Sequence, residues 1–272
     1  MATPRVRVGI SGWSYASWRG DFYPAGVRQA DELAYAAERM TAIEVNASFY
    51  RLQRPTTYAR WYAETPRGFR FAVKGSRLLT HLLRLRNPEE PLATFLASGV
   101  LVLREKLGPM LWQLPAQGAP TPDALDAFCA RLPRTYGEAV ELARGHGSQI
   151  SGERVWLPDT AEGSQRRLQH AVEVRSREGL DEVVDVLRRH RVALVVSDGA
   201  GRWPTVEHRT ASFAYVRLHG HTVLYHGGYS ARRLQTWAER IREWDVPTWV
   251  FFDNDADGRA PYDAVALSRL VS

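Results

Sequence analysis

The chain has 272 residues, 44% hydrophobic and 24% charged, an ordinary globular composition with room for one large α/β barrel or two small domains. No apolar run approaches the ~20 residues that a membrane helix needs, the start MATPRVRVGI lacks the apolar core of a secretory leader, and Cys129, the lone cysteine, excludes an intrachain disulfide or a cysteine-cluster metal site, so a cytoplasmic location is expected. The net charge of +6 and pI near 9.7 admit nucleic acid as a partner, but the excess comes from 34 arginines against two lysines, Lys74 and Lys106, with no basic block of five or more.

In chain order the hydrophobic period switches repeatedly between two and 3.6. Strands are predicted at VRVGIS (6–11), AIEVNAS (42–48), FRFAVK (69–74), PMLWQL (109–114), AVEVRS (171–176), ALVVSD (193–198), FAYVRLH (213–219) and TWVFFDN (248–254). Amphipathic helices are predicted at DELAYAAERM, TTYARWYAE, PLATFLASGVLVLREKL, PDALDAFCARL, LDEVVDVLRRH, ARRLQTWAERIREW and APYDAVALSRL. Thr121-Pro122 is a helix start, a capping hydroxyl followed by proline at the first helical position. The connection GAGRWPTVEHRTA has little helical period and reads as a loop, and residues 145–165 read as an irregular excursion. Eight strand–helix units imply a parallel sheet and fit a (β/α)8 TIM-type barrel spanning residues 1–272 as one domain. A doubly wound open sheet is the alternative.

Buried parallel strands are expected to be apolar, and several of these are not. Glu44 and Asn46 lie on strand two, Lys74 on strand three and Gln113 on strand four. Glu173 and Arg175 lie on strand five, Arg217 and His219 on strand seven, and Asn254, flanked by Asp253 and Asp255, on strand eight. Two-residue spacing places each pair on one face, and all lie toward the carboxyl ends of the strands, where barrel enzymes build their sites. The alternative is a buried ion-pair network in which Glu44 or Glu173 neutralises Arg175 or Arg217. Lys74 stands out in a chain that otherwise writes arginine, because an ammonium lowers its pKa readily on burial. Trp13, Tyr15 and Trp18, with Phe49 and Tyr50, are aromatic candidates for stacking, and packing over the barrel is the alternative for Trp18, Phe22 and Tyr23.

The loop LHGHTVLYHGGYS follows strand seven, where glycine amides of a barrel can reach an anion. His219, His221 and His226 within it lack a metal-ligand spacing, and Arg217 would repel a cation, so no metal is expected. DNDADG (253–258) imitates half of a calcium loop, but Ala264 stands where the bidentate glutamate belongs. Phosphate-cradling GxxxxGK[ST] and nucleophile-elbow GxSxG motifs do not occur.

The ordered segments GISGWSYASWRGDFYP, IEVNASFYRL, TPRGFRFAVKGSRLLTH, LGPMLWQLP, VEVR, YVRLHG and FFDNDADGRA resemble the YecE-like family, a domain of unknown function. The resemblance covers almost the whole chain and implies a TIM-type barrel without a settled activity. Matched positions include Trp13, Glu44, Asn46, Tyr50, Lys74, His81, Gln113, Glu173, Arg175, Asp198, Arg217, His219 and Asn254. After VEVR the resemblance implies a histidine and, shortly after, a serine–tryptophan pair, where this chain has Ser176-Arg177-Glu178-Gly179, and it implies an asparagine at Asp253.

The expectation is a hydrolase-like enzyme, without a cofactor, for an anionic, phosphate-bearing substrate, with nucleotide or nucleic acid favoured. Lys74, Arg175, Arg217 and His219 would orient the anion, and Glu44 or Glu173 would act as general acid/base. Asn46, Gln113 and Asn254 would position the substrate, with Trp13 or Tyr50 stacked against it. The alternatives are a glycoside hydrolase using Glu44 and Glu173 and a non-catalytic barrel that binds a small anion.

Overall fold

The computed structural model describes residues 5–158 and 163–272. The strands are β1 (Val6–Ser11), β2 (Ala42–Val45), β3 (Arg70–Lys74), β4 (Leu107–Gln113), β5 (His170–Glu173), β6 (Ala193–Asp198), β7 (Ala214–Leu218) and β8 (Thr248–Phe252). They pair in parallel in sequence order, and β8 returns to β1 through Val8↔Val250 and its neighbours, closing the barrel. Closure excludes the open doubly wound sheet.

The helices are α1 (Glu32–Ala37), α2 (Ala47–Tyr50), α3 (Pro55–Ala63), α4 (Glu89–Ala97), α5 (Pro122–Arg131), α6 (Tyr136–Ala143), α7 (Leu180–His190), α8 (Ala231–Trp244) and α9 (Ala260–Val271). Thr121 caps α5 as expected, its hydroxyl accepting from the Ala124 amide. The predicted helix PLATFLASGVLVLREKL is broken in two: α4 ends before Gly99, and a 3-10 segment occupies Val100–Lys106. Gly99 takes φ 125°, and a side chain there would meet the Pro55 backbone, so this crossing admits only glycine. The connection 199–212 is a loop, as expected. The excursion before β5 holds a short 3-10 turn at Gly152–Arg154, and residues 159–162 of it lie outside the described residues. Among the described residues no helix is long and apolar enough to cross a membrane.

Alternation along the strands divides the core into two. Ile43, Val45, Val73 and Val172 face outward and pack with the helices, while Ala42, Ala72, Leu111, Ala171, Val195, Tyr215 and Phe251 fill the barrel interior. Small residues on β1, β2 and β3 make room for the large ones on β7 and β8. Gly9 of β1 takes this furthest: a Cβ there would stand 1.8 Å from the Ala42 carbonyl oxygen. The next interior layer toward the carboxyl ends is polar all round the barrel: Ser11, Glu44, Lys74, Gln113, Glu173, Ser197, Arg217 and, one residue past β8, Asp253.

His170 at the start of β5 serves the fold. Its Nδ1 accepts from the Trp112 indole at 3.2 Å and its Nε2 donates to the Pro133 carbonyl at 2.8 Å, so the buried ring is neutral. Burial, against the opposing bond to Pro133, lowers its pKa from 6.5 to about 4. The unfolded chain therefore binds a proton between those values that the folded chain refuses, and stability falls as the pH drops through that window. Urea unfolding of the wild type and His170→Gln at pH 5 and pH 7 checks this: the wild type should lose more stability between the two pH values than the variant.

Candidate active site

The polar layer is organised around one guanidinium. Arg217 donates through Nη2 to Glu44 Oε1 at 2.7 Å, through Nε to Glu44 Oε2 at 3.1 Å and through Nη1 to Glu173 Oε2 at 2.9 Å. Asp253 Oδ2 stands 3.2 Å from Nη2. Glu44 also accepts from the Ser11 hydroxyl at 2.8 Å and the Tyr215 phenol at 2.6 Å. Four donors on two oxygens leave that carboxylate saturated. Glu173 further accepts from Ser197 at 3.0 Å and from Arg175 at 3.4 Å. Both ring nitrogens of His219 lie 2.8 Å from carboxylate oxygens, Nε2 from Glu173 and Nδ1 from Asp253.

The electrostatics follow from this packing. Burial works to raise the Glu173 pKa, but Arg217, Arg175 and His219 outweigh it and hold the carboxyl well below the usual range. Burial likewise opposes Arg217, His219 and Lys74 at Asp253, and the cations win, taking it to about 2. Three carboxylates reciprocally hold Arg217 well above the ordinary guanidinium value against the effect of burial. The buried ion-pair network weighed from the sequence is therefore present. It uses Glu44, Glu173 and Arg217 together, with Asp253 as a third anion at the position where the resemblance implies asparagine.

Over this network opens a cavity of about 660 Å³ at the barrel mouth, lined among others by Asn46, Tyr50, Lys74, Gln113, Arg175 and Arg217. Lys74, at the end of β3, is 7% exposed and has no carboxylate within 4.0 Å and no side-chain hydrogen bond among the described residues. Its Nζ lies 4.4 Å from the Phe49 ring centroid. Burial and then Arg217 lower its pKa to about 8. Arg175 lies 4.2 Å over the Trp203 ring, and its Nε is buried without a partner, as is the Asn46 Oδ1. His81 also lines the cavity, lowered to about 4 by burial and by Lys74, Arg77 and Arg175.

Six of the eleven residues predicted for the site thus line the cavity: Asn46, Tyr50, Lys74, Gln113, Arg175 and Arg217. Asn46 reaches it by a different route, because β2 stops at Val45 and Asn46 turns into α2 with φ −88° and ψ −23°. Glu44, Glu173 and His219 are fully buried in the network behind Arg217. Two residues stand elsewhere. Trp13 packs edge-on against Trp61 with centroids 5.1 Å apart, so the cavity's aromatic from that loop is Tyr15. Asn254 donates to the Gly227 carbonyl at 2.7 Å and to Asp263 at 2.8 Å, bracing the loop after β7 against α9. Alternation through Trp249 and Phe251 carries inward to Asp253, not to Asn254. That same alternation, run along β1 and β6, identifies Ser11 and Ser197, which sequence reasoning passed over.

Two of the three glycine amides of the loop after β7 are already used: Gly220 N–H donates to the Tyr229 hydroxyl at 3.2 Å and Gly227 N–H to Asp257 at 2.9 Å. The three histidines of that segment divide among separate acids, His219 with Glu173 and Asp253, His221 with Asp198 and His226 with Asp257. A glycosidase acid needs a carboxyl with a raised pKa. Here Glu44 and Glu173 grip the same guanidinium, and Glu173 is held low.

Comparison with known proteins agrees with this architecture. Crystal structures of DUF72 family proteins superpose on nearly the whole chain. One, from Thermotoga maritima MSB8, has a TM-score of 0.70 at 24% identity, covering 98% of each chain. Another, from Enterococcus faecalis V583, has a TM-score of 0.72 at 16% identity, covering 98% of this chain and 95% of that one. The UPF0759 protein YecE of Escherichia coli K12 is 28% identical over 138 residues, 50% of this chain and 48% of YecE, so the chain spans about half the length of that relative. The sequence profile described as "Protein of unknown function DUF72" matches residues 7–272, and the chain belongs to that family.

Proposed function

We propose that the barrel mouth binds a small phosphate-bearing substrate and acts on it by acid/base chemistry. The observation that carries this is the charge of the cavity wall. Arg217 is offset by three carboxylates, whereas Lys74 has no counter-ion among the described residues. Arg175 shares only one long contact with Glu173 and keeps an unused buried Nε–H. Arg77 stands exposed on the same wall. An anion would complete these groups, and phosphate oxygens suit the fork of Arg175 together with the point charge of Lys74. Tyr50, 76% exposed at the rim, offers a face to a nucleotide base.

The proton carrier in this proposal is not Glu44, whose oxygens are saturated. Lys74, Asp255 and Tyr225 line the cavity instead. Burial and then Asp253 raise the Asp255 carboxyl above its ordinary value. The pairing of Glu44 and Glu173 with one guanidinium speaks against the glycoside hydrolase.

Thermal shift with inorganic phosphate, a nucleoside monophosphate and the matching nucleoside tests the proposal. The two phosphate ligands should stabilise the protein, by about 2.7 kcal/mol at 100 times their Kd. Lys74→Ala and Arg175→Ala should each weaken that effect. If neither phosphate ligand raises the melting temperature, or both variants respond like wild type, the proposal fails; stabilisation without turnover assigns a receptor.

A further inference from the structure

We infer that Lys74 is a nucleophile whose Nζ condenses with the carbonyl carbon of an aldehyde or ketone that also carries an anionic group. This rests on the phosphate-binding proposal and adds the reacting atom and the substrate class.

The two lysines of the chain make the contrast. The Lys106 ammonium is fully served, with the Tyr62 carbonyl and the Thr65 carbonyl each at 2.6 Å and the Thr65 hydroxyl at 3.1 Å. Lys74 is almost as buried, yet its three N–H donors find no acceptor among the described residues. Lys74 opens onto the cavity with its Nζ over the Phe49 ring and without a protein acceptor, so in its neutral form no protein hydrogen bond competes for the lone pair. The backbone that carries it is fixed: the Lys74 carbonyl accepts from the Ser48 hydroxyl at 2.7 Å, and the Gly75 amide donates to the Leu111 carbonyl at 2.8 Å. Desolvation beside another cation is one way in which proteins activate lysine as a nucleophile. The charged groups acting on it are Arg217, Glu173, Glu44, Asp253 and, across the cavity, His81.

The chemistry balances without an oxidant or reductant. The Nζ lone pair forms the C–N bond, the carbonyl π pair moves to oxygen, and that oxygen leaves as water after two proton transfers. An ammonium and a carbonyl become an iminium and water, with charge conserved. Asp255 and Tyr225 line the same cavity and can pass protons to the departing oxygen, while Arg77 and Arg175 hold the anionic end.

With two lysines in the sequence, trapping is unusually clean. The full chain is treated with pyridoxal 5′-phosphate, or with pyridoxal, then with sodium borohydride, and examined by intact mass and peptide mapping. The expected result is one adduct on Lys74, protected by inorganic phosphate, unchanged in Lys106→Arg and absent in Lys74→Arg. Mapping in the wild type decides the site even if a variant folds poorly. Equal trapping of pyridoxal, unprotected by phosphate, supports the nucleophile and overturns the phosphate site. Phosphate binding with no adduct on Lys74, or labelling shared equally with Lys106, overturns the nucleophile and leaves the phosphate site standing.

Discussion

Replacing Arg217 by Met is expected to destabilise the fold by about 3–5 kcal/mol, the cost of removing one partner from a buried charge pair. The guanidinium is 1% exposed and serves Glu44, Glu173 and Asp253, so its loss strands acids inside the barrel. Lysine is not a conservative substitute, because one ammonium cannot reproduce the fork that meets Glu44 on two nitrogens and Glu173 on a third. The attribution to stranded charge, and not to lost volume, is testable by a double-mutant cycle. Glu44→Gln added to Arg217→Met should recover part of the loss, although each change alone destabilises. Urea midpoints for the four proteins give the coupling energy; purely additive losses would mean that Arg217 acts by packing alone.

That outcome also bears on the role of Glu44. A proton carrier needs an oxygen that can reach substrate, and here each is taken by Ser11, Tyr215 or Arg217. Such a residue holds the neighbouring charges in place. Catalysis then falls to groups at the cavity wall with capacity to spare.

The barrel was legible because its strands are apolar runs that break the rule at their carboxyl ends, and because alternation assigns each misfit to a face. Strand ends were overrun for the same reason: alternation continues past the last ladder bond at Asn46, Arg175 and His219. α2 was hidden because four residues, Ala47–Tyr50, carry no detectable period. α6 went unpredicted although Thr135 caps it, its hydroxyl accepting from the Glu138 amide at 3.2 Å. In the site, alternation found Glu44, Glu173, Arg217 and His219. What it could not supply was pairing. Arg217 and Glu44 lie 173 residues apart, and only closure of β7 through β8 and β1 to β2 brings them together. The state of Lys74 is equally invisible locally, because it depends on which carboxylates Arg217 has already taken.

Lys74→Met is expected to stabilise the protein by roughly 2–3 kcal/mol at pH 7, the opposite sign to most core substitutions. The sign follows from linkage. Burial and Arg217 take the pKa from 10.5 to about 8 in the folded chain. Between those values the unfolded chain binds a proton that the folded chain does not, so the wild type gains stability as the pH rises through that window. Below pH 8 the folded protein bears the cost of holding a desolvated ammonium beside Arg217, and methionine of similar length removes it. The advantage of the variant should therefore be largest at pH 7 and shrink toward pH 10, as read from urea midpoints. Lys106→Met supplies the contrast: it orphans the acceptors at Tyr62 and Thr65 and should destabilise. If both lysines destabilise on replacement, Lys74 is served in solution by a partner and its amine is not free. If only Lys74→Met stabilises, the chain keeps this amine at a net cost to its own fold, as expected of a group kept for a ligand and not for the structure.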